Sequence, residues 1–220
     1  MDDPPPGRAR RAAAAACGLV AATLALLVTV VGGSAEPGYS HMAQYISELG
    51  ATGAAHASLV AVGGFAPIGA LVLAFLGLAS AVFPPSWQKT VGTACLAAIG
   101  AAYLVSAVCP CDPGCPTSGS FTQSVHNLAG YLEYIGAVAG LLLLAAALRR
   151  GQAWRPLALA SVAAAGCVAA AVVAMQVPGF GSLRGLCQRV AETALFSWMA
   201  YASIFLLRIV PETAAAARRQ

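Results

Sequence analysis

Charge is scarce in this chain. Only 9% of its 220 residues are Asp, Glu, Lys or Arg, where a water-soluble domain carries about 25%. Hydrophobic residues make up 59%, and the mean hydropathy is +0.77. So few charges exclude an ordinary soluble domain, and lipid is the solvent that fits the composition. Common chemical motifs are missing as well: no GxSxG, HExxH, Walker A or GxGxxG sequence stands in a credible context. Nor is there a helix-turn-helix, a zinc finger or a platform of aromatic and basic residues. The net charge of +4 therefore predicts no nucleic-acid partner; in a membrane protein it marks the side on which arginines collect. No convincing internal repeat occurs, so an inverted-repeat transporter gains no support.

What the chain does have is six apolar runs. They span about 12–32, 58–83, 90–108, 125–148, 156–177 and 187–210. Each approaches or exceeds the roughly 20 residues that a helix needs to cross a bilayer. The first is too long for a secretory signal core of about 7–15 residues, so it is expected to stay as a helix despite the small residues Gly33, Ser34 and Ala35 behind it. Residues 1–11, with three prolines and three arginines, are expected to form a disordered cytoplasmic tail, and 211–220 a second one. Pro67 predicts a kink in the second helix, which a membrane helix tolerates. Between the first two runs, His41, Gln44, Tyr45 and Glu48 recur at helical spacing opposite Met42, Ile46 and Leu49. That pattern predicts a short amphipathic helix at the membrane interface.

The basic residues test the count of six independently. With the N-terminus inside, the cytoplasmic segments hold Arg8, Arg10, Arg11, Lys89, Arg149, Arg150, Arg155, Arg208, Arg218 and Arg219. Only Arg184 and Arg189 fall outside. Ten of twelve basic residues on one side is the distribution that sets membrane orientation. The fold class expected is an all-α bundle of six transmembrane helices in the plasma membrane, with both termini cytoplasmic and the lipid bilayer as its first partner.

The outer side on this topology gathers the unusual residues. Cys109, Cys111, Cys115 and Cys187 lie there, while Cys17, Cys95 and Cys167 sit in apolar runs as packing residues. Four cysteines on an oxidising face are disulfide candidates with three possible pairings. The arrangement expected is one bridge inside the 109–115 loop and one from that loop to Cys187. A metal held by Cys109, Cys111, Cys115 and His126 is the alternative, although it lacks the usual C-x2-C spacing of zinc sites. The metal and any cofactor stay unassigned.

Two carboxylates lie inside the apolar runs. Glu133 is seven residues after His126, on the same helix face and about 10 Å deeper. Glu192 is three residues after Arg189, again on one face. Carboxylates in a membrane are costly and are either paired or functional. The paired expectation joins Glu192 to Arg189 and Glu133 to His126 or an arginine. The functional expectation is an outer, water-filled pocket. Its candidate catalytic groups are His126, Glu133 and Glu192, and its candidate binding groups are His41, Glu48 and Arg189, with Tyr103 and Ser106 as further lining. Such a pocket can hold a metal, a lipid headgroup or other small-molecule ligand through arginine, or a general acid–base pair.

Three stretches resemble a known family. Tyr39-Ser40 with Ile46-Ser-Glu-Leu-Gly50, Cys111-Asp-Pro-Gly-Cys-Pro116 followed by His126, and Gly185-Leu-Cys-Gln-Arg189 are similar to the bacterial and archaeal membrane proteins of domain of unknown function family 998. The resemblance covers about 12–210 and implies six membrane helices. It implies no activity. The expectation is accordingly a non-catalytic membrane protein with a sensing, assembly or structural role. An enzyme acting on a lipid or lipid-linked substrate at the outer leaflet is the alternative, and a small proton-coupled transporter the second.

Overall fold

The computed structural model describes residues 6–209. Six long apolar helices dominate them: α1 (Gly7–Ala35), α2 (Ala57–Ser80), α3 (Trp87–Val108), α4 (Phe121–Leu148), α5 (Gln152–Gln176) and α6 (Pro178–Arg208). Among the described residues there is no strand. The chain is an integral membrane protein, and its apolar flanks meet the lipid bilayer. Val62, Leu159 and Ile135 project from the bundle in this way, each more than 60% exposed.

Local sequence sets the helix ends. Ser86 and Ser120 open α3 and α4, each hydroxyl accepting the amide of the third residue beyond it, Lys89 and Gln123, at 3.1 Å. Helix α1 starts earlier than expected: 7–11 are helical and lengthen it, because the arginine-rich stretch runs directly into helix-favouring alanines. The expected tail at 211–220 and the first five residues lie outside the described residues. Ahead of Pro67, α2 widens into a π-helical turn at Ala61–Phe65. That wider turn accommodates a residue with no amide proton and a bulky ring.

Each helix packs on its neighbours in sequence, and α6 closes back on α1. The result is a closed ring of six helices running alternately up and down. Lipid supplies no hydrophobic drive between helices, so close approach and packing must hold the ring. At the α3–α4 crossing Gly92 and Gly140 face each other. A Cβ on Gly92 would stand 3.0 Å from the Gly140 carbonyl, tighter than ordinary contact. Inside the ring, Phe75, Ile68, Leu141, Leu144, Met199 and Leu206 are fully buried. Trp198 is interior too, its indole donating to Ser161 Oγ at 2.9 Å.

The alternating direction gathers 36–56, 109–120 and 177–183 at one end as a cap, and puts Lys89, Arg149, Arg150 and Arg155 at the other. The expected two-turn interfacial helix is not formed. Turns at 41–44 lead into a single 3-10 turn, Ile46–Gly50. Ile46, Glu48 and Leu49 are all buried, so the segment docks into the bundle instead of lying on its surface. The Glu48 carboxylate caps this turn by accepting the Tyr45 amide at 2.9 Å, and the turn ends at Gly50 before a helix can extend.

Candidate functional site: a carboxylate–tyrosine cavity beneath a knotted cap

The cap is fastened by two arginines of α6. Arg184 donates to the Ala43 carbonyl at 3.0 Å and to the Gly114 carbonyl at 3.3 Å, and pairs with Glu48 at 3.3 Å. Arg189 donates to the carbonyls of Gln44 (2.8 Å) and Gly185 (2.9 Å) and to the Tyr39 hydroxyl. Gln188 accepts the Ile46 amide at 2.6 Å, and the Leu186 amide reaches the Met42 carbonyl at 3.0 Å. This docking needs Gly185. A Cβ there would run into the backbone of Gln44.

The 109–120 loop is knotted separately. Gln123, fully buried, accepts the Asp112 amide at 2.6 Å and donates to Pro116 O and Asn127 Oδ1, both at 2.8 Å. Asp112 accepts the Ser120 amide and hydroxyl, each at 2.8 Å, which holds its exposed carboxyl below the usual carboxylate range. Cys111 and Cys115 form a disulfide, with Gly114 (φ 79°) and Cys115 (φ 44°) turning the chain back on itself. The expected second bridge is absent: Cys109 and Cys187 are free thiols. The Thr52 amide donates to the Cys111 carbonyl at 2.9 Å and joins this loop to the 36–56 segment.

Beneath the cap lies a cavity of about 60 Å³, room for a few waters or a small ion. Ile46 and Ser47 roof it. Tyr103 and Ser106 enter from α3, His126, Glu133 and Tyr134 from α4, and Gln188 and Glu192 from α6. Glu133 and Glu192 are 8% and 6% exposed. Glu192 accepts the Tyr103 hydroxyl on one oxygen at 3.0 Å and the Tyr134 hydroxyl on the other at 2.8 Å. Glu133 Oε1 is buried without a hydrogen-bond partner. His126 Nδ1–H donates to the Cys109 carbonyl at 3.1 Å. A carbonyl only accepts, so the neutral ring keeps its lone pair on Nε2.

The six candidate residues thus divide. His126, Glu133 and Glu192 line one cavity. His41, Glu48 and Arg189 do not line it; they belong to the cap and its fastening. His41 packs edge-on against Tyr39, with ring centroids 5.3 Å apart. The expected ion pairs are also absent among the described residues. Arg189 bonds to backbone and Tyr39 instead of Glu192, and Glu133 pairs with neither His126 nor an arginine. The amphipathic segment, folding back on α6, presents carbonyls that claim the guanidinium first. Tyr134 and Gln123 carry no mark of their own in the sequence, and Arg184 and Gln188 stand there only as an outer arginine and as part of a family stretch, not as site residues. Tyr134 adjoins Glu133, and that adjacency was its only signal.

A second cavity, about 290 Å³, lies between α1 and α6. It shares Ile46, Tyr103 and Glu192 with the first. From Arg189 at the cap to Ala200 it extends about 16 Å along α6. Leu19, Ala22, Leu26 and Phe196 make most of it apolar.

The stretches Ile46-Ser-Glu-Leu-Gly50, Cys111-Asp-Pro-Gly-Cys-Pro116 and Gly185-Leu-Cys-Gln-Arg189 meet in this cap and in the roof of the polar cavity. The family described as Protein of unknown function (DUF998) matches residues 19–204. The chain belongs to that family. No curated protein and no solved structure matches it. For this DUF998 member the chemistry rests on the geometry above.

Proposed function

We propose that the protein is a non-catalytic membrane sensor whose ligand is a positive charge, a proton or a small inorganic cation, held between Glu133 and Glu192. One observation carries this reading. Two buried carboxylates line one cavity that no Lys or Arg side chain lines. Carboxylates out of water need a neutralising partner. Tyr103 and Tyr134 supply hydrogen bonds to Glu192 but no charge, His126 is turned to a carbonyl, and Arg189, in the neighbouring groove, is committed to the cap. The place of a counter-charge is left to a ligand. The cap faces the outside of the plasma membrane and both termini lie in the cytoplasm, on the ten-to-two distribution of basic residues. The roof of the cavity, Ile46 and Ser47, is part of the cap, so charge uptake is transmitted to the 36–56 segment.

Hydrogen exchange of that segment in nanodiscs tests this, measured across pH and across sodium, potassium, magnesium and calcium. Protection that follows pH alone identifies a proton, and protection that follows one cation identifies that ion. Glu133→Gln abolishes the response of 46–56, the part that roofs the cavity, in either case. Protection that is constant in the wild type under every condition contradicts the proposal.

A second reading rests on the α1–α6 groove, which places a long apolar channel beside Glu192 and Arg189. Under it a lipid-linked substrate lies in the groove with its headgroup at Arg189, and His126, Glu133 and Glu192 supply acid–base chemistry. Turnover of a lipid panel that is lost in Glu192→Gln supports this reading. A wild-type protein with neither turnover nor a co-purifying lipid removes it.

A further inference from the structure

The disulfide loop shares His126 with the carboxylate cavity and forms around it an arrangement that goes beyond the carboxylate pair. The sulfurs of Cys111 and Cys115 and a ring nitrogen of His126 all lie within 4.8 Å of one another. All three residues are largely buried. Metal-bound histidines characteristically donate their other ring N–H to a carbonyl or carboxylate, which fixes the ring and presents the lone pair. His126 already does so, through Nδ1 to the Cys109 carbonyl at 3.1 Å. Ser47 also borders the sulfurs, its hydroxyl 3.4 Å from Cys115 Sγ and its carbonyl 3.7 Å from Cys111 Sγ. Two sulfurs and one imidazole are the donor set of a thiophilic d10 cation.

In the structure those sulfurs are bonded to each other, so the same atoms serve two exclusive states. We infer that Cys111, Cys115 and His126 form a redox-gated site that takes one Zn(II) or Cu(I) ion once the disulfide is reduced. A dithiol donor supplies the two electrons and two protons: its own S–S bond forms, the Cys111–Cys115 bond breaks, and two thiols result. Binding then releases both thiol protons as the thiolates and His126 Nε2 become ligands, with the fourth position of zinc left to water. Because Ser47 borders both this site and the carboxylate cavity, the state of the loop is coupled to the cavity roof. The inference is independent of what the carboxylates bind.

The test uses the full-length protein in detergent, reduced with a phosphine under argon or left oxidised. Each form is titrated with Zn(II), Cu(I) and, as a spectroscopic probe, Co(II). The reduced protein is expected to take one ion per chain, and cobalt to show thiolate charge-transfer absorption. The oxidised protein takes none. His126→Ala weakens binding about 100-fold or more, Cys111→Ser abolishes the charge-transfer band, and Cys187→Ser changes nothing. Preference for zinc or for copper names the ion. Where a variant does not fold, the wild-type cobalt spectrum decides alone. A reduced protein that binds no ion overturns the inference, as does equal binding by the oxidised form or cobalt absorption without thiolate character.

Discussion

The Tyr103 hydroxyl donates to Glu192 Oε2 at 3.0 Å, joining the third helix to the sixth across the interior of the ring. Tyr134 holds the other oxygen from the fourth helix at 2.8 Å. One carboxylate thus ties together three helices whose order in the chain does not make them all neighbours. Removing either hydroxyl leaves Glu192 half satisfied in a buried place. Tyr103→Phe is expected to cost about 1–3 kcal/mol of stability, and Tyr134→Phe a similar amount. In a double-mutant cycle with Glu192→Gln, thermal unfolding in nanodiscs reveals a coupling energy for each tyrosine. Additive losses would show that the hydroxyls and the carboxylate act separately.

Gly185 sits where α6 meets the cap, and a Cβ would enter the backbone of Gln44. Backbone cannot swing aside as a side chain can. Gly185→Ala is therefore expected to lift the 36–56 segment, at a cost of about 1–3 kcal/mol, the usual range for overpacking. Limited proteolysis should cleave within 36–56 in this variant and leave the wild type intact. An unchanged digestion pattern would mean that the cap yields where the geometry says it is rigid.

The cap should also loosen in mild acid through His41. Burial, and then the nearby Arg189 charge, hold the His41 imidazole below its ordinary range. In an undocked chain this histidine takes its proton near pH 6.5, whereas the docked one resists it to lower pH. The undocked state thus binds more protons as pH falls below about 6.5, and docking loses stability there. Exchange rates in 36–45 are expected to rise as pH falls below about 6.5, and His41→Gln should flatten that share of the rise. Glu133→Gln should leave that share in place, which separates it from any response of the carboxylate pair. A slope unchanged in His41→Gln would assign the whole effect to other groups.

Much of this molecule is legible in its sequence, for reasons that differ by residue. The six spans follow from apolar run length, and an even count follows from where the arginines fall. His126 and Glu133 share a face because seven residues make two helical turns. What the sequence hides is set by ring closure. Tyr103, Tyr134 and Glu192 lie far apart along the chain and meet only because α6 returns to α1, which no local pattern announces. The cap is hidden for a second reason. His41, Glu48 and Arg189 are residue types that suit a ligand-binding surface, but in the fold the Gln44 and Gly185 carbonyls and the Tyr39 hydroxyl take both terminal nitrogens of the guanidinium. The amide knot at Gln123 leaves no pattern at all, since a single glutamine near a helix start is ordinary. The bridge within the loop follows from the Gly114 turn, which returns Cys115 to Cys111.

The central claim is that Glu133 and Glu192 share a positive charge, and infrared difference spectroscopy on oriented membranes reads it directly. In the wild type, changing pH or the bound cation should shift intensity between the carboxylic acid and carboxylate bands. Glu133→Gln and Glu192→Gln should each remove that change. A wild-type difference spectrum without carboxyl bands, or carboxyl bands that persist in both variants, would contradict the account and leave the cavity a purely structural feature.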